Sequence, residues 1–183
     1  MDTAAPAATA CEAPGAGQAS RLLRFNDDVL AQGEALAHAC EMARTLAYEV
    51  SIGPHLRHVI EHYEALVLRP FVAEVDYDRR ARDRTLERSP ALARQRFAAL
   101  RAALRGWAEV DLDDALLVFT LGGIQGQWPL ACASTISREL VFLASHAVHH
   151  FALLRGTCER HGITVAPHLG IAPATAAHAM KRH

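Results

Sequence analysis

The chain has 183 residues, 51% of them hydrophobic, which suits one domain with a substantial core and is too few for two comfortable ones. Its 19 basic and 20 acidic residues leave a formal net charge of -1, so no basic field is available to attract nucleic acid. No stretch approaches the roughly 18 apolar residues of a membrane span, and the N-terminus lacks the features of a secretory signal. A cytoplasmic protein with no nucleic-acid or membrane partner is therefore expected.

The histidines and cysteines indicate what chemistry the protein could carry out and in which compartment. The chain has 11 histidines, many of them clustered, and clustering is what metal or acid–base chemistry needs. The cysteines show no Cys-x-x-Cys spacing, which favours reduced thiols in the cytoplasm. Two of them, Cys40 and Cys158, fall within helical patterns and are expected to act as small buried hydrophobic residues.

The N-terminal part of the chain reads as a tail followed by a helix. Residues 1–22 are rich in Ala and Pro and predict a flexible tail, which leaves residues 23–183 as a single domain. Apolar residues then recur at helical spacing and predict a first helix from Asn26 or Asp28 to Val50, with Asn26 or Asp27 as its cap.

A second helix follows the break at residues 51–54 and is predicted from His55 to Leu68. His55, His58 and His62 lie beside its apolar stripe at steps of three and four residues. A solvated helix face accounts for such a row without any ligand. The position of His58 speaks against a ligand role, unless the site lies where this flank meets the last long helix.

Three further segments precede that last helix. Residues 71–90 are dense in charges of both signs and predict a solvated, salt-bridged connection. Ser89-Pro90 is a good start for a third helix that ends near Trp107. The stretch from Asp111 to Thr135 breaks the helical pattern with glycines and fits a short β-hairpin or an extended loop.

The last long helix is predicted from Ser134 to His161 and is apolar on most sides, as a core helix is. His146 and His150 lie four residues apart, so they project from one face about one turn apart, where two imidazoles can bind one ion. Such a pair is a weak motif alone, because histidines on a helix also bond to backbone, water or each other. A third ligand elsewhere in the chain is needed.

These elements predict an all-α fold. Four long helices with one short and two longer connections indicate a four-helix bundle, with a short extended hairpin or loop before the last long helix.

Four segments together resemble the DinB/YfiT-like superfamily of four-helix-bundle metalloenzymes. The main two are SIGPHLRHVIEHY at residues 51–63 and ELVFLASHAVHHFALL at residues 139–154. The segments VDYDRRARD at residues 75–83 and GIAPAT at residues 170–175 resemble a subgroup of the same family. The resemblance covers most of the chain from about residue 26.

The resemblance implies a divalent metal ion held by His58, His146 and His150, with an open position for water. Zinc or nickel is the expected metal on imidazole ligands. His62 remains an alternative to His58, and His149 an alternative to either ligand on the last helix.

Family members include transferases and isomerases that use low-molecular-weight thiols. A metal-dependent enzyme of the thiol-dependent transferase or hydrolase type is therefore expected, acting on a small-molecule substrate. The alternative is a non-catalytic metal-binding or stress-related helical protein. A homodimer through helix faces is also expected.

No catalytic residue is identified by sequence. Glu61 and Glu139 are weak candidates for a base, and a helix-surface carboxylate is the alternative for each. Tyr77, Arg80 and Arg82 are candidates for binding an anionic group, weighed against salt bridges within the loop.

Overall fold

The computed structural model describes residues 16–68 and 73–181 of the chain. Within these residues, six α-helices accompany a small sheet whose first strand is separated in sequence from the other two by two helices. In chain order the elements are α1 (Ala16–Ala43), a π-helical turn (Tyr48–Ile52), α2 (Gly53–Val67), β1 (Glu74–Asp76), α3 (Thr85–Arg88), α4 (Pro90–Arg105), β2 (Ala115–Gly122), β3 (Trp128–Thr135), α5 (Ile136–Arg160) and α6 (Pro173–Met180).

The predicted all-α four-helix bundle is wrong, because the fold is mixed α/β with a three-stranded sheet in the order β1-β2-β3. The antiparallel β2–β3 hairpin is one of the two structures predicted for this segment. What the sequence did not reveal is β1, a parallel partner of β2 in which Val75 lies opposite Val118. It has only three residues and lies in the charged connection, so no alternation of apolar and polar residues marks it.

Three long helices begin and end close to their predicted bounds. Ser89 caps α4, because its hydroxyl accepts a hydrogen bond from the amide of Leu92 at 3.1 Å. Thr135 caps α5 in the same way, with the amide of Arg138 as donor at 3.2 Å.

The first helix is misplaced by the sequence analysis. It runs from Ala16 to Ala43 instead of from Asn26 or Asp28 to Val50, so residues 16–22 are helical and the predicted tail is wrong for them. Residues 1–15 lie outside the described part of the chain. The early start has a physical cause, since Leu22 and its neighbours Leu23 and Phe25 pack against the core.

The helix α1 packs against α4 and α5, and α2 packs against the same two helices around one hydrophobic core. Cys40 and Cys158 are both buried and free in this core, as expected. Burial raises the pKa of Cys40 to about 12, which keeps that thiol protonated. Among residues 16–68 and 73–181, no helix is long and apolar enough to cross a membrane.

The charged connection is also more ordered than predicted. Its residues Tyr77 and Leu86 are buried, and the backbone amide of Asp83 donates to Glu61 of α2 at 2.6 Å. The connection therefore packs over one flank of α2, the flank that carries the histidines.

Asn26 is a buried link between α1 and α2 and not a helix cap. Its Oδ1 accepts a hydrogen bond from the Tyr63 hydroxyl at 2.9 Å, and its Nδ2 donates to the carbonyl of Leu22. Both side chains have no exposed surface. We expect Asn26→Ala to lower the free energy of unfolding by about 1–3 kcal/mol, because the buried hydroxyl is left without a partner.

A double-mutant cycle in urea measures this link. Combining Asn26→Ala with Tyr63→Phe should cost clearly less than the sum of the single changes, since the pair is then removed together. Strict additivity would contradict the assigned hydrogen bond.

Candidate metal centre

Three imidazoles converge where the flank of α2 meets α5. His58 comes from α2, and His146 and His150 come from successive turns of α5. One nitrogen from each ring lies within 4.8 Å of the others, and all three side chains are partly buried. Their ring centroids are 4.9, 4.8 and 4.5 Å apart for the pairs 58–146, 58–150 and 146–150. The structure thus brings together the three residues singled out by the resemblance, at the junction named in the sequence analysis.

His62 is close to this group, but its two nitrogens already have partners. Its Nδ1 donates to the backbone carbonyl of His58 at 2.6 Å, and its Nε2 accepts from Arg80 at 3.2 Å. A neutral imidazole has one donor and one acceptor, so no lone pair is left for an ion. His149 is exposed and lies outside the group. The contacts therefore favour His58 over His62, and His146 with His150 over His149.

His146 carries a direct sign that the group suits a metal. Within the described residues, its Nε2 is buried and has no hydrogen-bond partner. A buried nitrogen of this kind costs about 1–3 kcal/mol unless something satisfies it. A divalent ion bound by neutral imidazoles would do so, and three such nitrogens are a known donor set for zinc.

His150 contacts a fourth histidine. Its Nδ1 lies 2.8 Å from the Nδ1 of His55 in the first turn of α2. The sequence analysis placed His55 on a solvated face and missed this contact, because nothing local to α2 reveals which residue of α5 lies opposite.

Burial keeps these rings neutral. Burial, followed by the neighbouring histidines and Arg80, lowers the pKa of His58 to about 3. It also lowers the pKa of His62 to about 4, although the hydrogen bond to the His58 carbonyl acts in the opposite direction. Burial, followed by neighbouring histidines, lowers the pKa of His150 to about 4. The pKa values of His146 and His55 are also lowered, mainly by burial. At neutral pH each ring therefore keeps one lone pair.

Arg80 lies against the rings of His62 and His58. Its guanidinium contacts Nε2 of His62 and the Tyr77 carbonyl, and it lies 3.5 Å from Nδ1 of His58, the outer limit of a hydrogen bond. Its Nε is 3.9 Å from Oε2 of Glu61. Arg80 thus forms an ion pair with Glu61 of α2, and its role in binding an anionic group stays a prediction. Arg82 is exposed.

The two candidate bases are buried carboxylates and not helix-surface ones. Glu139 accepts from the Tyr77 hydroxyl at 2.9 Å and from the Ser134 hydroxyl at 2.6 Å, so both its oxygens tie the sheet segment to α5. Glu61 accepts from the Asp83 amide through Oε1, and its Oε2 is buried without a hydrogen bond. Oε2 of Glu61 lies within ion-pair distance of Arg57 at 3.7 Å and of Arg80 at 3.9 Å, whereas both oxygens of Glu139 accept hydrogen bonds.

A cavity of about 640 Å³ is lined in part by Arg80 and Glu61. Val75 and Phe119 of the sheet form part of its apolar wall. Its volume is in the range of small-molecule sites in proteins.

Comparison with known proteins assigns no family. No family model matches the chain, and no solved structure matches it. FK506-binding protein 5 of Rhizopus delemar is 27% identical over 111 residues, which cover 61% of this chain and 29% of that protein. The chain therefore spans less than a third of the length of this curated relative, whose name describes that protein alone.

The low pKa values predict how the metal-free protein responds to acid. In the unfolded chain a histidine titrates near pH 6.5, whereas His58, His62 and His150 titrate at about 3 to 4 when folded. Between these values the unfolded state binds more protons, so the free energy of unfolding should fall as the pH drops below about 6.5. Above about 6.5 this loss is absent.

Urea midpoints of EDTA-treated protein at pH 7.5, 6 and 5 measure the effect. The fall should be smaller in His58→Gln, which removes one titrating group, and unchanged in His38→Gln, whose side chain is 58% exposed. A wild-type midpoint that stays constant over this range would contradict the prediction.

Proposed function

We propose that this chain is a DinB-like protein that binds one divalent metal ion through His58, His146 and His150. The observation that carries the proposal is the convergence of three partly buried imidazoles within 4.8 Å, one of which has a buried Nε2 without a partner. Zinc or nickel fits best, since both are well bound by neutral imidazole.

We further propose that the protein is a metal-dependent enzyme of the thiol-dependent transferase or hydrolase type. When bound, the ion would lower the pKa of a thiol or water in the position that three protein ligands leave open. In this scheme Arg80 attracts the anionic group of a substrate or thiol, and Glu61 balances its charge. The cavity of about 640 Å³ beside these two side chains takes the rest of a small-molecule substrate.

A non-catalytic metal-binding or stress-related protein is the second candidate. It is favoured by Glu139, because both oxygens of this candidate base are already engaged by Tyr77 and Ser134. The two candidates share the metal and differ in turnover.

Location and assembly belong to the same proposal. Free cysteines at positions 40, 132 and 158 are in keeping with a cytoplasmic protein.

The homodimer through helix faces stays a prediction. Light scattering at micromolar concentration measures the molecular mass and so distinguishes a dimer from a monomer.

Metal content tests the site. Protein purified without a histidine tag should carry about one divalent ion per chain by elemental analysis, because a single three-imidazole group is proposed. The triple variant His58→Ala/His146→Ala/His150→Ala should lose it. His149→Ala is the matched control, since His149 is exposed on the same helix and should keep the metal. Equal metal content in the triple variant would rule out this ligand set.

An activity screen tests the chemistry. Metal-loaded protein is offered several low-molecular-weight thiols paired with electrophilic acceptors, together with simple esters and amides. Turnover should occur with at least one combination and fall to background in His146→Ala and His150→Ala, which remove ligands. Turnover that survives both changes would place the chemistry elsewhere. A metal-loaded protein without turnover in any combination would favour the non-catalytic candidate.

A further inference from the structure

The contact between His55 and His150 determines which nitrogen of His150 is free. Their Nδ1 atoms are 2.8 Å apart, a hydrogen-bond distance, and their ring centroids are 5.1 Å apart. Two lone pairs cannot approach so closely, so one Nδ1 carries a proton and donates a hydrogen bond to the lone pair of the other Nδ1. Two tautomeric arrangements satisfy this requirement.

Only one arrangement leaves His150 able to bind an ion. If His55 were the donor, the lone pair on Nδ1 of His150 would accept the hydrogen bond. Nε2 of His150 would then carry the proton and could not bind an ion. If His150 is the donor, its Nε2 has a free lone pair. That nitrogen is then the ligand atom that His150 offers to the three-imidazole group.

We propose that His55 is a positioning residue for the metal centre: it accepts the Nδ1–H of His150 and so holds His150 in the tautomer whose Nε2 faces the ion. This inference rests on the proposed three-histidine site and adds a role for a fourth histidine. Ligating histidines usually donate their second nitrogen to an oxygen acceptor, and loss of that partner typically weakens metal binding about 10- to 100-fold.

The other neighbours of His150 do not serve this purpose. His58 and His146 are themselves members of the three-imidazole group. His149 is exposed, and its ring centroid is 5.7 Å from that of His150. His55 is held on the correct flank because it precedes His58 by three residues on α2, which places both rings on the same side of the helix.

Metal titration of EDTA-stripped full-length protein tests the role. Zinc affinity, measured against a chelating dye, should fall about 10- to 100-fold in His55→Ala. It should recover to near the wild-type value in His55→Asp and His55→Asn, whose Oδ1 stands about where Nδ1 of the imidazole was and accepts the same hydrogen bond. His149→Ala is the matched control and should bind zinc as the wild type does.

A long-range ¹H–¹⁵N NMR spectrum of the zinc-loaded wild type gives a second readout that does not depend on any variant. His150 should show a protonated Nδ1 and a metal-shifted Nε2. A His150 ring with its proton on Nε2 would overturn the inference.

The outcomes separate this inference from the proposal beneath it. A wild type that binds no zinc refutes the three-histidine site. A wild type that binds zinc with His55→Ala equally tight refutes the role of His55 and leaves the site intact. Weak binding in His55→Ala that neither Asp nor Asn restores, with circular dichroism showing all variants folded, assigns the effect to packing and also refutes it.

Discussion

The burial of several imidazoles between α2 and α5 is the constraint on which this structure depends. Burial disfavours the charged form, so His58, His62 and His150 are neutral at physiological pH. A neutral imidazole has one donor and one acceptor nitrogen, and each ring in this partly buried group needs partners for both. His62 finds both in the His58 carbonyl and Arg80, and His150 finds one in His55. Within the described residues, the buried Nε2 of His146 has no hydrogen-bond partner, and the metal ion proposed above would supply one.

The small sheet matters to this centre through its connections. Glu139 in the first turn of α5 receives hydrogen bonds from Ser134 at the end of β3 and from Tyr77 just after β1. The Tyr77 ring in turn stacks on His62 at a centroid distance of 5.6 Å. Burial, and then the nearby Glu139, raises the pKa of Tyr77, which keeps this hydroxyl a donor. The hydrogen bond from Tyr77 to Glu139 of α5 thus holds the Tyr77 ring against His62.

Local patterns predicted α2, α4 and α5 well, because periodic apolar residues and capping side chains such as Ser89 are encoded within a few residues. The pairing of His146 with His150 is equally local, since helical geometry alone places them together. The strand β1 was missed because it pairs with a parallel partner about 40 residues away in sequence. The choice between His58 and His62 also depends on a long-range contact. Arg80, in the segment after α2, donates a hydrogen bond to Nε2 of His62 and so occupies its lone pair. Sequence patterns carry little information about such long-range partners.

The donor set also links metal binding to the packing of the core. Two of the proposed ligands lie on one buried helix, where Leu143, Ala147 and Phe151 have no exposed surface and hold α5 in place. The distance of His58 from that pair is therefore set by how α2 packs against α5. An ion that binds only this packed arrangement stabilises the folded chain by mass action, in proportion to the logarithm of its concentration. Core packing supplies the geometry of the site, and binding of the proposed ion would in return favour the packed state over the unfolded one.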